Sequence, residues 1–240
     1  AGVDFEVCVD TGSVQLTGIP ANGFWSGNGI SSTGLYTVVT ADTFELVYSF
    51  GSGNCLTSDT LNLIVNDLPI VNAGSDISVC IDAGLQTFVG SPSGGTWSGL
   101  AVTSSGDFDP FVAGVGSHTI YYHYTDTNTC DNIDSLVVTV NGLPIVDAGN
   151  DTTLCNQPGT VQFNGTPPPP GGVWSGTNIS STGGFDPTGV GLYENVYTYT
   201  DPNGCINSDT MYIDVIDPTN ADAGVDFEVC VDTGSVQLTG

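Results

Sequence analysis

Seven cysteines are the residues with the greatest capacity for chemistry in this chain of 240 residues. A thiol pair at a regular spacing forms a disulfide or binds zinc, and no CxxC pair or nearby histidine supports zinc here. We therefore predict one disulfide within each pair, formed in an oxidising compartment. Cys230 is left over as the first member of a further pair. The other six cysteines form pairs 47, 50 and 50 residues apart: Cys8 and Cys55, Cys80 and Cys130, Cys155 and Cys205.

Recurring aspartates are the second group with chemical potential. Asp4, Asp76 and Asp151 each follow an Ala-Gly-x start, while Asp147 and Asp222 lie in connecting segments. Calcium takes six to eight oxygen ligands, so these acids are candidates for a Ca²⁺ site at the joints. The alternative is that the aspartate of each Ala-Gly-x-Asp start caps a turn through its own backbone. No other cofactor is expected.

Two further sets of side chains are candidates for metal binding or catalysis. His118 and His123 are five residues apart on one predicted strand, so they point to opposite faces and cannot share a metal ion. Asp107 and Asp109 resemble the two carboxylates that glycoside hydrolysis needs, but the corresponding acid pair is absent from the rest of the chain. We predict no catalytic residue and no enzyme activity.

The charge of the chain excludes several partners. Twenty-six acidic residues and no lysine or arginine give a net charge of −26, which repels nucleic acid and anionic membranes and attracts divalent cations. The hydrophobic fraction of 39% is nevertheless sufficient for folding. No apolar run reaches the roughly 18 to 20 residues of a membrane span, so no membrane insertion of this segment is expected.

The chain repeats at two levels. Its first 18 residues, 1–18, recur letter for letter as 223–240, an offset of 222 residues. Three diverged modules lie inside that period, each beginning with Ala-Gly-x-Asp. We predict module one at 1–71, module two at 72–146, module three at 147–221, and the start of the next copy at 222–240.

Each module contains short strands separated by Gly, Pro and Asn. The clearest are Tyr- and Val-rich strands such as Thr43 to Phe50, followed after a turn by a closing strand such as Asp59 to Val65. No segment has a helical period. This pattern predicts an all-β fold, with three small Ig-like antiparallel β-sandwich domains in each 222-residue repeat. Prolines in the joints favour extended connections between them.

A family resemblance rests on the order of the motifs. Each module runs from AGxD through a first Cys, a Trp-Ser-Gly triplet (at Trp25, Trp97 and Trp174), a Tyr-rich strand and a second Cys to an Asp-Ser/Thr pair. This order resembles the Ig-like/PKD-like tandem repeats of giant type 9-secreted surface proteins of Bacteroidota, including gliding-motility adhesins and hook-like filament proteins. The resemblance implies export by the type 9 route and a location on the cell surface or in an extracellular filament.

Three hydroxyls match a modification pattern from the same group of bacteria. Thr60, Ser135 and Thr210 each follow an aspartate that stands four residues after the second Cys of its module, and each precedes an aliphatic residue. The triplets resemble the Asp-Ser/Thr-aliphatic acceptor of O-glycosylation in Bacteroidota. The alternative is that an aspartate followed by a β-former simply begins a strand.

The function predicted from these features is structural. The array would form the shaft of a giant repetitive extracellular adhesin or surface filament, because reach grows with copy number. Its partners would be other copies of itself in a bundle, with surface ligands on prey or host cells bound by another part of the chain. The alternative is a carbohydrate- or protein-binding array that presents residues 167–170 and the loops before the three tryptophans.

Overall fold

The computed structural model describes residues 1–168, 171–218, 222, 223, 226, 228–232, 234, 235 and 237. The chain forms three Ig-like sandwiches, each built from one four-stranded sheet and one two-stranded sheet. The predicted all-β fold with three Ig-like domains is confirmed. Within the described residues, no helix is both long and apolar enough to cross a membrane.

The strands recur in the same order in the three modules. Module one contains β1 (Phe5–Cys8), β2 (Ser13–Gln15), β3 (Phe24–Ser26), β4 (Leu35–Thr37), β5 (Asp42–Phe50) and β6 (Thr57–Asn66). Module two contains β7 (Ile77–Cys80), β8 (Gln86–Thr87), β9 (Thr96–Gly99), β10 (Asp107–Phe108), the one-turn helix α1 (Pro110–Ala113), β11 (Gly116–Thr125) and β12 (Asp131–Asn141). Module three contains β13 (Thr152–Cys155), β14 (Val161–Gln162), β15 (Gly172–Gly176), β16 (Gly184–Phe185), β17 (Gly191–Thr200) and β18 (Ile206–Ile216).

The large sheet of each module is built around its last hairpin. In module two the strand order is β7-β12-β11-β9, and modules one and three have the equivalent orders β1-β6-β5-β3 and β13-β18-β17-β15. The hairpin is antiparallel, but the first strand runs parallel to the last, with Ile77 opposite Val138 and Cys80 opposite Asn141. A parallel neighbour requires a long crossover, which the strands between β7 and β12 supply. The prediction of antiparallel pairing is wrong for this one strand.

The core of each module is centred on a Trp–Tyr pair. The rings of Trp97 and Tyr122 are 4.9 Å apart between centroids, and the equivalent distances in modules one and three are 5.1 Å and 5.0 Å. The Tyr122 hydroxyl donates to the Pro92 carbonyl and accepts from the Gly95 amide at 2.9 Å. A Cβ on Gly90 would lie 2.4 Å from the Tyr122 ring, so only glycine fits there. Tyr122 and its equivalents Tyr48 and Tyr197 are all buried.

The aromatic residue two positions after the buried tyrosine differs between modules. Tyr124 packs against the core of module two, but Phe50 in module one is 37% exposed. Phe50 is the last residue of β5, where the chain turns away from the sheet. Its side chain therefore lies outside the core.

Each module has its own cluster of buried residues. Leu46 and Leu63 are central in module one, Ile120 and Val138 in module two, and Ile213 in module three. The chain divides into two compact units, Ala1–Gly142 and Leu143–Gly240. Modules one and two thus share the first unit, while the boundaries near residues 71 and 146 stay a prediction.

Candidate functional site

A disulfide bond links consecutive modules. Cys8 at the end of β1 is bonded to Cys130 in the turn between β11 and β12, with the two Cα atoms 5.5 Å apart. The bonded residues are 122 positions apart in the sequence. The predicted pairs Cys8–Cys55 and Cys80–Cys130 are therefore wrong, although a first-strand cysteine does bond a cysteine in the turn before a last strand.

The parallel first strand explains why pairing within a module fails. Cys80 lies opposite Asn141 at the end of β12, whereas Cys130 comes just before Asp131, at the start of the same strand. Because β12 has 11 residues, these cysteines are separated by roughly 35 Å at about 3.3 Å per residue. A disulfide needs Cα atoms about 4.4 to 6.8 Å apart. Module one has the same arrangement, with Cys8 opposite Asn66 and Cys55 before Thr57.

Each module therefore has two cysteine-bearing ends. We call the end where the module's chain begins the near end, and the end where it leaves the far end. At the near end of module two, the Asn132 side chain donates to the Pro69 carbonyl of the preceding joint at 3.0 Å, and Cys130 lies beside it in sequence. Cys80 and the exit of the chain after Asn141 mark the far end. Joining modules end to end brings a far-end cysteine to the next module's near-end cysteine.

An aspartate shapes the turn around the near-end cysteine. The Oδ1 atom of Asp126 accepts hydrogen bonds from the Asn128 and Cys130 amides at 2.8 and 2.9 Å. In module three Asp201 makes the same contacts, including 2.8 Å to the Cys205 amide. Both cysteines are fully buried. The turn thus presents the sulfur in a fixed and enclosed position.

The remaining cysteines fall into two groups. Cys80 and Cys205 are disulfide-bonded, as are Cys8 and Cys130. Cys55, Cys155 and Cys230 are exposed thiols. The predicted pair Cys155–Cys205 is therefore wrong as well, because Cys155 is unbonded while Cys205 is bonded. In module one the turn before Cys55 lacks an aspartate equivalent to Asp126 and forms a short 3-10 turn over Gly53–Cys55 instead.

The aspartates predicted to bind calcium have another role. Asp76 Oδ1 accepts the Val137 amide at 2.8 Å, and Asp134 Oδ2 accepts the Ala73 amide at 2.8 Å. These two bonds form a reciprocal aspartate clamp between the start of the first strand and the last strand. Equivalent contacts occur in module three, with the pairs Asp151–Tyr212 and Ala148–Asp209, and in module one, with the pairs Asp4–Asn62 and Ala1–Asp59, where the donor at Ala1 is the α-ammonium group.

The clamp stabilises the ionised carboxylates. Hydrogen bonds from the Ala73 and Ser135 amides lower the pKa of Asp134, and hydrogen bonds from the backbone and then the side chain of Asn62 lower the pKa of Asp4. A carboxylate that accepts backbone N–H bonds is favoured in its charged form. No lysine or arginine is needed to hold these acids in place.

The joint acids Asp147 and Asp222 form no metal-binding group with other described residues. Asp147 caps its own turn by accepting the Gly149 amide at 2.8 Å. Asp222 is exposed. In the part of the chain that the structure describes, no three His, Cys, Asp or Glu side chains converge to hold a metal ion. The carboxylates of Asp4, Asp76 and Asp151 are instead committed to backbone amides across the sheet.

The other candidates for chemistry are engaged in local contacts. His118 contacts the Gly114 carbonyl at 2.8 Å and His123 contacts Ser98 Oγ at 3.1 Å, from opposite faces of β11. Asp107 accepts the Thr87 hydroxyl at 2.8 Å. Asp109 accepts the amides of Phe111 and Val112 and so caps α1. The two aspartates are therefore structural acceptors within module two.

The candidate glycosylation residues lie on the last strands. Thr60 and Ser135 are exposed, and Thr210 is half-buried. The aspartate before each hydroxyl belongs to the clamp, so a strand-forming role accounts for the aspartate. Glycosylation of the three hydroxyls stays a prediction.

Shallow grooves lie beside the Trp–Tyr pair in two modules. A groove of about 240 Å³ in module one is lined by residues that include Asn22, Trp25 and Tyr48. A groove of about 220 Å³ in module two includes Trp97 and Tyr122. Ligand pockets are usually about 300 to 1,000 Å³, so both grooves are small. Residues 169 and 170 of the predicted proline-rich surface lie outside the described residues.

Comparison with known proteins gives fold-level similarity only. No protein-family model matches the chain, and no curated protein sequence does. An I-band fragment from titin is 14% identical, with 89% of this chain and 96% of that one covered and a TM-score of 0.36. Mouse protocadherin-24 is 10% identical, with 86% and 89% covered and a TM-score of 0.31. A SusE-like surface located polysaccharide binding protein from Bacteroides thetaiotaomicron is 11% identical, with 88% and 45% covered and a TM-score of 0.32.

Proposed function

We propose that this chain is a segment of a structural shaft in a repetitive extracellular adhesin or surface filament. The observation that carries the proposal is the Cys8–Cys130 bond, which ties one sandwich covalently to the next. Domains in one chain ordinarily move relative to each other unless a large interface holds them. A covalent bond beside the joint restrains that motion without needing a large apolar interface, which suits a load-bearing rod.

The bond works together with the peptide joint between the modules. The joint passes through Pro69, whose carbonyl is held by Asn132, and continues to Asn72, whose amide donates to the Ser91 carbonyl at 2.8 Å. Two connections at different points of one junction oppose both bending and twisting. Disulfide formation also implies an oxidising compartment, consistent with a secreted protein.

The surface chemistry suits a chain that meets many copies of itself. With a charge of −26 and no lysine or arginine, neighbouring copies repel at contact and associate only where cations or hydrogen bonds compensate. We propose that the partners of the shaft are other copies of this chain, and that ligands are bound by another part of the protein. Export by the type 9 route and O-glycosylation at Thr60, Ser135 and Thr210 belong to the same proposal.

The restraint is measurable on the unit Ala1–Gly142, which contains both bonded modules. Nitrogen-15 relaxation should give one common correlation time for modules one and two in the oxidised protein. Cys130→Ser should give two shorter and different correlation times, because the joint alone allows each module to tumble separately. Cys55→Ser is the matched control and should behave as the parent. Identical relaxation in Cys130→Ser and the parent would remove the basis of the proposal.

A second candidate function is glycan or protein binding at the grooves beside the Trp–Tyr pair. Its support is that the groove recurs at the same place in modules one and two. A glycan array probed with the whole chain tests it. Selective binding that is lost on substituting Asn22 and Ser93, which line the two grooves, would favour this candidate over the shaft.

A further inference from the structure

We propose that the disulfide links between modules continue across the boundary between consecutive 222-residue copies. In this arrangement Cys155 of one copy bonds Cys55 of the following copy. Every module would then be bonded to both of its neighbours along the whole array. The inference rests on the proposed function only in taking the chain as one period of a tandem array.

The positions of the two thiols match those of the bonded pair. Cys155 ends β13 opposite Ile216, at the far end of module three, as Cys8 ends β1 opposite Asn66. Cys55 lies in the turn before β6, at the near end of module one, as Cys130 lies in the turn before β12. Each thiol therefore lies at the end of its module that faces a module of the neighbouring copy.

The sequence spacing gives the same answer independently. Residues 223–240 repeat 1–18 without a change, so the module that follows module three begins with the sequence of module one. At a period of 222 residues, Cys55 of the following copy comes 122 residues after Cys155, the same separation as between Cys8 and Cys130. Cys230, the leftover cysteine of the pairing prediction, is the Cys8 of that following copy.

Exposure distinguishes the unbonded thiols from their bonded equivalents. Cys130 and Cys205 are fully buried, whereas Cys55, at the equivalent position in module one, is exposed. Cys155 is exposed as well. These are the two thiols whose partner modules belong to other copies, and a bonded neighbour would cover Cys55 as it covers Cys130.

The bond forms by ordinary thiol–disulfide exchange. A thiolate of Cys155 or Cys55 attacks a disulfide oxidant such as oxidised glutathione and releases one reduced glutathione, leaving a mixed disulfide. The second thiolate then attacks the protein sulfur and releases the other. Two protein thiols lose two protons and two electrons, and one glutathione disulfide becomes two thiols.

A chain of two consecutive copies, folded in a glutathione redox buffer, tests the inference. Free thiols are alkylated before cleavage on the amino side of aspartate, because the chain has no site for trypsin. Cys55 is then carried by the peptide 42–58 and Cys155 by 151–185, each without another cysteine. We expect these two peptides to be disulfide-linked, with about half of each alkylated, since each copy supplies one internal and one terminal thiol.

Matched variants make the result specific. Cys55→Ser in the second copy should abolish the linked pair and leave Cys155 of the first copy fully alkylated. The same substitution in the first copy should leave the linked pair unchanged. In both variants the linked peptides 4–9 and 126–130, which carry Cys8 and Cys130, act as a folding control.

Two outcomes would overturn the inference. One is complete alkylation of Cys55 and Cys155 in a chain whose Cys8–Cys130 link is intact. The other is a link between 42–58 and 4–9, which would place Cys55 in its own module. The first result would overturn the inference but not the proposed shaft, in which consecutive copies would then be connected by the peptide joint alone. Loss of the Cys8–Cys130 link would remove the shaft proposal itself.

Discussion

Pulling the unit Ala1–Gly142 from its two ends should reveal a segment that cannot be extended while Cys8 and Cys130 are bonded. The bond bridges 122 residues, so force applied to the ends bypasses almost the whole unit. Unfolding of the two sandwiches in the oxidised protein therefore adds little length. A reductant removes the bypass and allows both modules to extend.

The length that the bond hides follows from the number of residues between the two bonded cysteines. An extended chain spans about 3.3 to 3.6 Å per residue, so 122 residues hide about 400 to 440 Å of length. Disulfides within modules one and two would instead hide two loops of 47 and 50 residues, about 160 to 180 Å each. The two pairings therefore differ in the total length released, about 400 to 440 Å against about 320 to 350 Å.

Single-molecule force spectroscopy with and without reductant measures this length. Cys130→Ser is the control, and it should reach full extension in both conditions. A total gain of about 400 Å or more on reduction supports the inter-module bond. A total gain of only about 320 to 350 Å, or a gain that also occurs in Cys130→Ser, would refute the reasoning.

Other expectations follow from the clamp, the core and the turn. Because folding lowers the pKa of Asp134 below 3.8, its ionised carboxylate stabilises the fold above that pH, and the stabilisation is lost as pH falls through the lower folded value. The unfolding midpoint of Asp134→Asn should therefore fall less than that of the parent protein as the pH is lowered. Asp134→Ala should in addition be less stable than the parent at pH 7. Tyr122→Phe should cost about 1 to 2 kcal/mol in denaturant unfolding, since it leaves the Pro92 carbonyl without its donor; an unchanged midpoint would contradict the role given to this hydroxyl. Asp126→Ala should expose Cys130 to alkylation in partly reduced protein more readily than Asp126→Asn, which keeps an acceptor; equal alkylation rates would show that the turn does not depend on this side chain.

Much of the fold was predictable because it is encoded locally. The Tyr-rich hairpin strands and the buried Trp25, Trp97 and Trp174 follow from alternation and from recurrence in three modules. The pairing of the cysteines did not follow, because it depends on the direction of the first strand. A parallel β1 carries Cys8 to the far end of β6, and no local pattern in Phe5–Cys8 distinguishes parallel from antiparallel pairing.

The aspartates were recognised as a recurring set, but their contacts were not. A carboxylate that accepts an amide about 60 residues away leaves no local signature in the sequence. The sequence therefore indicates separate roles for Asp76, as a calcium ligand, and for Asp134, as the neighbour of a glycosylation site. The signal in the sequence is that both aspartates recur together at matched positions of every module. Two acids that repeat together indicate one shared structural device.

A non-reducing peptide map of the Cys230→Ser variant of the 240-residue chain tests the central claim most directly, because the peptide 226–231 that carries Cys230 otherwise has the same sequence as 4–9. Cleavage on the amino side of aspartate places Cys8 in the peptide 4–9, Cys130 in 126–130 and Cys55 in 42–58. A disulfide between 4–9 and 126–130 is the result expected for sandwiches bonded to their neighbours. A disulfide between 4–9 and 42–58 would contradict it.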